Sequence, residues 1–76
     1  MERTIRAFIE NEPEVLMRVT ALLKRKGFNM RKIVMEADDL HAGAWLNITL
    51  ADGVPTFDKA LNTIIGVIDV HRVEEV

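Results

Sequence analysis

Apolar and polar residues alternate from the fourth to the tenth position. Ile5, Ala7 and Ile9 fall on one side and Arg6, Phe8 and Glu10 on the other. A period of two is that of a strand with one buried face. The period then changes: Val15, Leu16, Val19, Leu22 and Leu23 recur at helical spacing, as one stripe of a helix predicted over 12–26. Asn11 is the expected N-cap and Pro13 lies in the first turn, where its missing N–H is not needed. Glu14, three residues after Asn11, reads as the reciprocal partner of a capping box. Lys24, Arg25 and Lys26 suit the negative end of the helix dipole, and Gly27 is the expected stop. A helix N-terminus that follows a strand is also a place where an anion can be held.

A second strand is predicted over 29–37. Ile33, Val34 and Met35 are consecutive there, so its buried face is ambiguous. The polar stretch 38–43 reads as a hairpin connection. Strict alternation returns over 44–50, with Ala44, Leu46, Ile48 and Leu50 opposite Trp45, Asn47 and Thr49. Ala51, Asp52 and Gly53 signal a turn. Pro55 stands where a helix can start, Phe57, Leu61, Ile64 and Ile65 repeat at helical spacing, and Gly66 ends the run. A β-branched strand over 67–73 precedes acidic Glu74 and Glu75. The order βαββαβ, two βαβ halves split by a hairpin, predicts an α+β, ferredoxin-like sandwich: a four-stranded antiparallel sheet with two helices on one face.

The 76 residues make one small domain, with 49% hydrophobic residues and no low-complexity segment. Such a domain buries only about 60% of its unfolded surface, so association is a natural remedy for its small core. The apolar runs are too short to span a membrane, and residues 1–4 lack the features of a signal peptide. Without cysteine there is no disulfide framework and no thiolate chemistry. A cytoplasmic location is the expectation. The net charge of −2 provides no general attraction for nucleic acid.

Catalytic machinery is not legible. The only side-chain hydroxyls are those of Thr4, Thr20, Thr49, Thr56 and Thr63, and the two histidines, His41 and His71, have no metal-ligand spacing. RNA-binding modules share this topology, but they stack bases on strand aromatics within a basic signature that the last two strands lack. Phe8 and Trp45 are the aromatics expected on the open sheet face, where a protein partner is the better match. A metal chaperone of this topology would need a Cys-x-x-Cys loop before the first helix, and none is present.

Three stretches carry a family resemblance. Ile9-Glu10-Asn11-Glu12-Pro13-Glu14-Val15-Leu16-Met17-Arg18-Val19 resembles the start of an ACT domain, and Lys24-Arg25-Lys26-Gly27-Phe28-Asn29-Met30 resembles its helix exit. Val67-Ile68-Asp69-Val70-His71-Arg72-Val73 is similar to the closing strand of one branch, the small regulatory subunits of acetohydroxyacid (acetolactate) synthase. The resemblance implies that residues 1–76 form a single non-catalytic regulatory domain, most similar to the minimal small subunits that lack an extra C-terminal domain. It also implies a homodimer joined through edge strands into a continuous sheet, with a branched-chain amino acid, chiefly valine, bound at the junction. The partner it implies is a catalytic large subunit carrying thiamine diphosphate, Mg²⁺ and FAD; the small subunit itself needs no cofactor.

By the same resemblance, the effector site comprises Asn11, Glu12, Pro13, Glu14 and Val15 with Asn29 and Met30. Many sensitive members have glycine where this chain has Glu14, so weakened valine feedback is expected. Asn11 and Asn29 flank opposite ends of one helix, roughly 20 Å apart at 1.5 Å per residue, so one amino acid reaches both only across a twofold axis. Two other readings stand beside this one: a free-standing amino-acid sensor serving another enzyme or regulator, and a small ferredoxin-like enzyme or structural module.

Overall fold

A computed structural model describes residues 1–53 and 55–76. The alternating first segment forms β1 (Arg3–Ile9), with Ile5, Ala7 and Ile9 buried. Helix α1 (Pro13–Arg25) follows, and Val15, Val19 and Leu23 form its fully buried stripe. Its cap differs from the sequence expectation. Glu12, not Asn11, is the N-cap residue, in an extended conformation (φ −134°, ψ 133°), and no side chain caps the helix. The cause is Pro13: proline takes the first helical position and drives the residue before it out of the helical region. Glu14 is thereby shifted to the second helical position, and the reciprocal capping-box bond is not made.

The other end of α1 is closed as expected. Gly27 takes φ +89°, its N–H donates to Lys24 O at 3.0 Å, and Phe28 N–H donates to Leu23 O at 3.0 Å. These are the paired bonds of a Schellman stop, and Phe28, buried beyond the turn, supplies its usual apolar contact.

Strand β2 (Met30–Asp38) then pairs with β3 (Gly43–Leu50). Their register decides the ambiguous face: Ile33 lies opposite Ile48 and Met35 opposite Leu46, on the helix side, while Val34 lies opposite Asn47 on the open side. Ile33 remains 43% exposed because β2 is an edge strand. The turn between these strands is organised by Asp38. One carboxylate oxygen accepts the backbone N–H groups of Leu40 and His41, each at 3.2 Å; the other accepts Trp45 Nε1–H at 3.0 Å and lies 2.9 Å from His41 Nδ1. Gly43 has no room for a side chain, since a Cβ there would come 2.8 Å from Ile9 O and collide with the Phe8 ring.

Helix α2 (Phe57–Ile65) starts after Thr56, so Pro55 precedes the helix and does not open it. Ala60 and Ile64 form its buried stripe; Ile65, expected in the core, is 63% exposed. The last strand, β4 (Val70–Glu75), begins three residues later than the β-branched run suggests. Val67 N–H donates to Ile64 O and Val70 N–H to Val67 O, so the chain is still turning there, with Asp69 at φ +71°. β4 runs on through Glu74 and Glu75, which pair with Arg6 and Ile5 of β1, and Arg3 makes a two-pronged bond to the Glu75 carboxylate, at 2.8 and 2.7 Å.

The sheet order is β2-β3-β1-β4, and every neighbouring pair is antiparallel. The core is one cluster, built from the inner residues of β1 and β3 and the stripes of both helices; among the described residues no charged or polar side chain is buried in it. This is the expected α+β sandwich of ferredoxin-like topology.

Candidate functional site

The loop between β1 and α1 is held by its backbone. Glu10 N–H donates to Asp69 O at 3.0 Å, and Glu12 N–H donates to Glu10 O at 2.8 Å. Arg18, one turn into α1, donates to Ile68 O at 3.2 Å and stands 3.9 Å from the Asp69 carboxylate. The β1–α1 loop and the turn ahead of β4 are thus fastened together at one end of the molecule.

The first turn of α1 has few donors to offer. Pro13 has no N–H, and Val15 N–H already donates to Glu12 O at 3.1 Å. Among the described residues, Glu14 N–H is left as the free backbone donor of this turn. It lies where the helix dipole favours negative charge. The carboxylate of Glu14 itself occupies the same turn.

Asn11, Glu12, Pro13 and Glu14 are exposed and contiguous at this end. The Val15 side chain is fully buried in the core, so only its backbone belongs to the loop. Asn29 and Met30 lie beyond the other end of α1. Asn29 is exposed, with its carbonyl accepting Ala51 N–H at 3.0 Å, and Met30 packs against the core. The thirteen residues of α1 span about 20 Å. A single chain therefore brings Asn11 together with Glu14 but holds Asn29 and Met30 apart from them.

The open face of the sheet carries a second constellation. Phe8 and Trp45 are half-buried rather than freely exposed: their ring centroids lie 5.0 Å apart with planes at 58°, and the Arg6 guanidinium sits 3.9 Å from the Trp45 centroid. The Asp38 carboxyl is held below its ordinary range by the hydrogen bond from His41, with the Trp45 N–H acting in the same sense. At the far edge the Arg3 guanidinium bond lowers the Glu75 carboxyl in the same way.

Sequence reasoning missed a contact at the loop. His71, read as an isolated strand histidine, places Nε2 2.9 Å from Glu10 Oε2. The two residues are 61 positions apart, and only the register of β1 against β4 brings them together. Among the described residues no group of three or more His, Cys, Asp or Glu is arranged to hold a metal ion, and no helix is long and apolar enough to cross a membrane.

No protein-family model matches the chain. A probable acetolactate synthase small subunit from Archaeoglobus fulgidus is 35% identical over 78 residues, covering 99% of this chain and 49% of that protein. The solved small subunit of acetolactate synthase from Thermotoga maritima superposes with a TM-score of 0.86 at 21% identity, over 99% of this chain and 47% of that one. The ACT domain of GTP pyrophosphokinase from Chlorobium tepidum superposes with a TM-score of 0.78 at 19% identity, over the whole of this chain and 97% of that domain. The chain thus spans about half the length of the small subunits it matches. In fold it is an ACT domain, and in sequence it resembles the small subunit of acetolactate synthase.

Proposed function

We propose that this chain is a non-catalytic, amino-acid-sensing and activating domain of an acetolactate synthase small subunit. In this reading it works in the cytoplasm as a twofold dimer, bound to a large subunit that carries the thiamine diphosphate chemistry. The observation that carries the reading is the 35% identity, across essentially the whole chain, to a protein of that description. The exposed Asn11–Glu14 turn supports the sensing role, since it offers a backbone donor and a helix N-terminus to a ligand carboxylate. The 20 Å between the two halves of the site calls for a second copy, with the partner's Asn29 and the partner's Met30 completing it. The unpaired outer edge of β2 is where that copy would join.

Glu14 sets the expected affinity. Its carboxylate is not drawn into a capping box, so it competes with a ligand carboxylate for the single free N–H. Valine is therefore expected to bind weakly to the wild type, and Glu14→Gly is expected to tighten it by roughly 10²-fold. Calorimetric titration of valine, leucine and isoleucine into both forms checks this. Micromolar valine binding by the wild type would show that Glu14 turns away from the site. Co-purification with a thiamine-dependent large subunit, and a rise in that subunit's activity on mixing, would separate this role from that of a free-standing sensor.

A further inference from the structure

We propose that His71 is a positioning residue for the β1–α1 loop: it holds the Glu10 carboxylate at the β4 side and makes amino-acid binding at the loop weaken as pH rises. The proposal rests on the reading of this loop as the effector site.

The geometry begins with an irregularity in the sheet. Phe8 pairs with Arg72 but Ile9 pairs with Val70, so β4 carries one extra residue at this point, and that residue is His71. A bulge of this kind bends the strand and re-aims a side chain. Here it sets the imidazole 6.3 Å from the Phe8 ring centroid, with Nε2 2.9 Å from Glu10 Oε2. Among the described residues the other ties on the loop are backbone bonds, from Glu10 N–H to Asp69 O, from Glu12 N–H to Glu10 O and from Val15 N–H to Glu12 O. Of these, only the bond to His71 is made by a side chain that can be either charged or neutral.

Glu10 is the charged group in contact with His71; Asp69 and Arg72 are near it in sequence, and Arg18 from α1 reaches the same turn at Ile68 O and Asp69. His41 lies across the Phe8–Trp45 pair. Most of these have partners of their own: Arg18 faces Asp69 at 3.9 Å, Arg72 faces Glu74 at 3.7 Å, and His41 faces Asp38 at 2.9 Å. Glu10 is thus the group that responds to His71. With the imidazole protonated, the pair is charge-assisted and Glu10 is neutralised in place. With it neutral, the bond weakens and Glu10 presents a full negative charge one residue before Asn11, where it repels a ligand carboxylate. Both effects act in the same direction. Because the pair is half-exposed, with side chains 49% and 43% accessible, the expected change is modest, about two- to fivefold in affinity.

The test has two arms on the full chain. In the first, ¹⁵N-labelled protein is titrated from pH 5.5 to 8 while the ring signals of both histidines and the amides of Glu10 and Glu12 are followed. Both amides are expected to move with the midpoint of the His71 ring, to lose that transition in His71→Leu, and to stay close to their acid-form positions throughout in His71→Gln, whose amide donates without titrating. Amides that ignore His71, or that follow His41, would overturn the proposal. In the second arm valine is titrated into the Glu14→Gly form across the same range. Its Kd is expected to rise two- to fivefold, and to stay flat when His71→Gln is added; a flat profile with His71 intact would overturn the linkage to binding. If no valine binds at any pH, the effector reading falls, while the amide shifts still decide whether His71 positions the loop.

Discussion

Asp38 stands out among the residues because one carboxylate serves four donors. It accepts two backbone N–H groups of its own turn, the indole of Trp45, and His41. Its carboxyl is depressed by the His41 bond first and the Trp45 N–H next. A depressed carboxylate stabilises the fold above its ordinary range, and that contribution is lost as pH falls through the lower, folded-state value. Asp38→Asn is therefore expected to lower Tm at pH 7, with the gap from wild type closing below about pH 4. Thermal unfolding read by Trp45 fluorescence across pH 3–7 checks both, and a constant gap would refute the assignment. None of this showed in the sequence, where the turn is simply a polar run; the alternation of Trp45 with its neighbours gave its face but not its partner.

Local chemistry accounts well for the elements. The two alternating strands, the α1 stripe and the Gly27 stop appear where their patterns place them, because each rests on residues within a few positions. The errors arise where two local signals compete. Asn11 is the better capping residue, yet the rigidity of Pro13 decides the geometry and leaves Glu12 as a cap without a side-chain bond. Two substitutions separate these influences. Asn11→Ala is expected to change stability by less than about 0.5 kcal/mol. Glu12→Asp, which brings a short acceptor to the cap, is expected to add about 0.5–1 kcal/mol. Urea denaturation of both variants measures this, and a loss of about 1 kcal/mol or more in Asn11→Ala would return the cap to Asn11. β4 starts later than its composition suggests for a related reason: β-branched residues do not reveal that backbone bonds keep 67–70 turning.

At the scale of the whole molecule, the halves of the proposed site lie at opposite ends of α1, and the sequence already implied as much from helix length alone. What it could not supply were the long-range pairings, Glu10 with His71 and Arg3 with Glu75, since they depend on strand order. The proposed dimer uses the outer edge of β2. Ile33 is exposed on β2, on the helix side of the sheet, where a second copy would cover it. Ile33→Lys places a charge on that edge and is expected to convert a sedimenting dimer into a monomer at micromolar concentration, without loss of secondary structure. A wild type that sediments as a monomer would remove both the dimer and the composite site.

The bond from Arg3 to Glu75 ties the first strand of this domain to its last, so the sheet closes only when both have been made. β1 is made before the other three strands of the domain, but it lies inside the sheet, between β3 and β4. Its β3 side can be filled midway through translation. Its β4 side stays bare until β4 emerges, a closure across 72 positions. A nascent or truncated chain that stops short of Val70 therefore presents an open β1 edge to its neighbours, with the sticking hazard that such an edge carries. It also lacks the His71 ring, which donates to the Glu10 carboxylate beside the β1–α1 loop. The β1–α1 end of the domain thus takes shape only once β4 has been made.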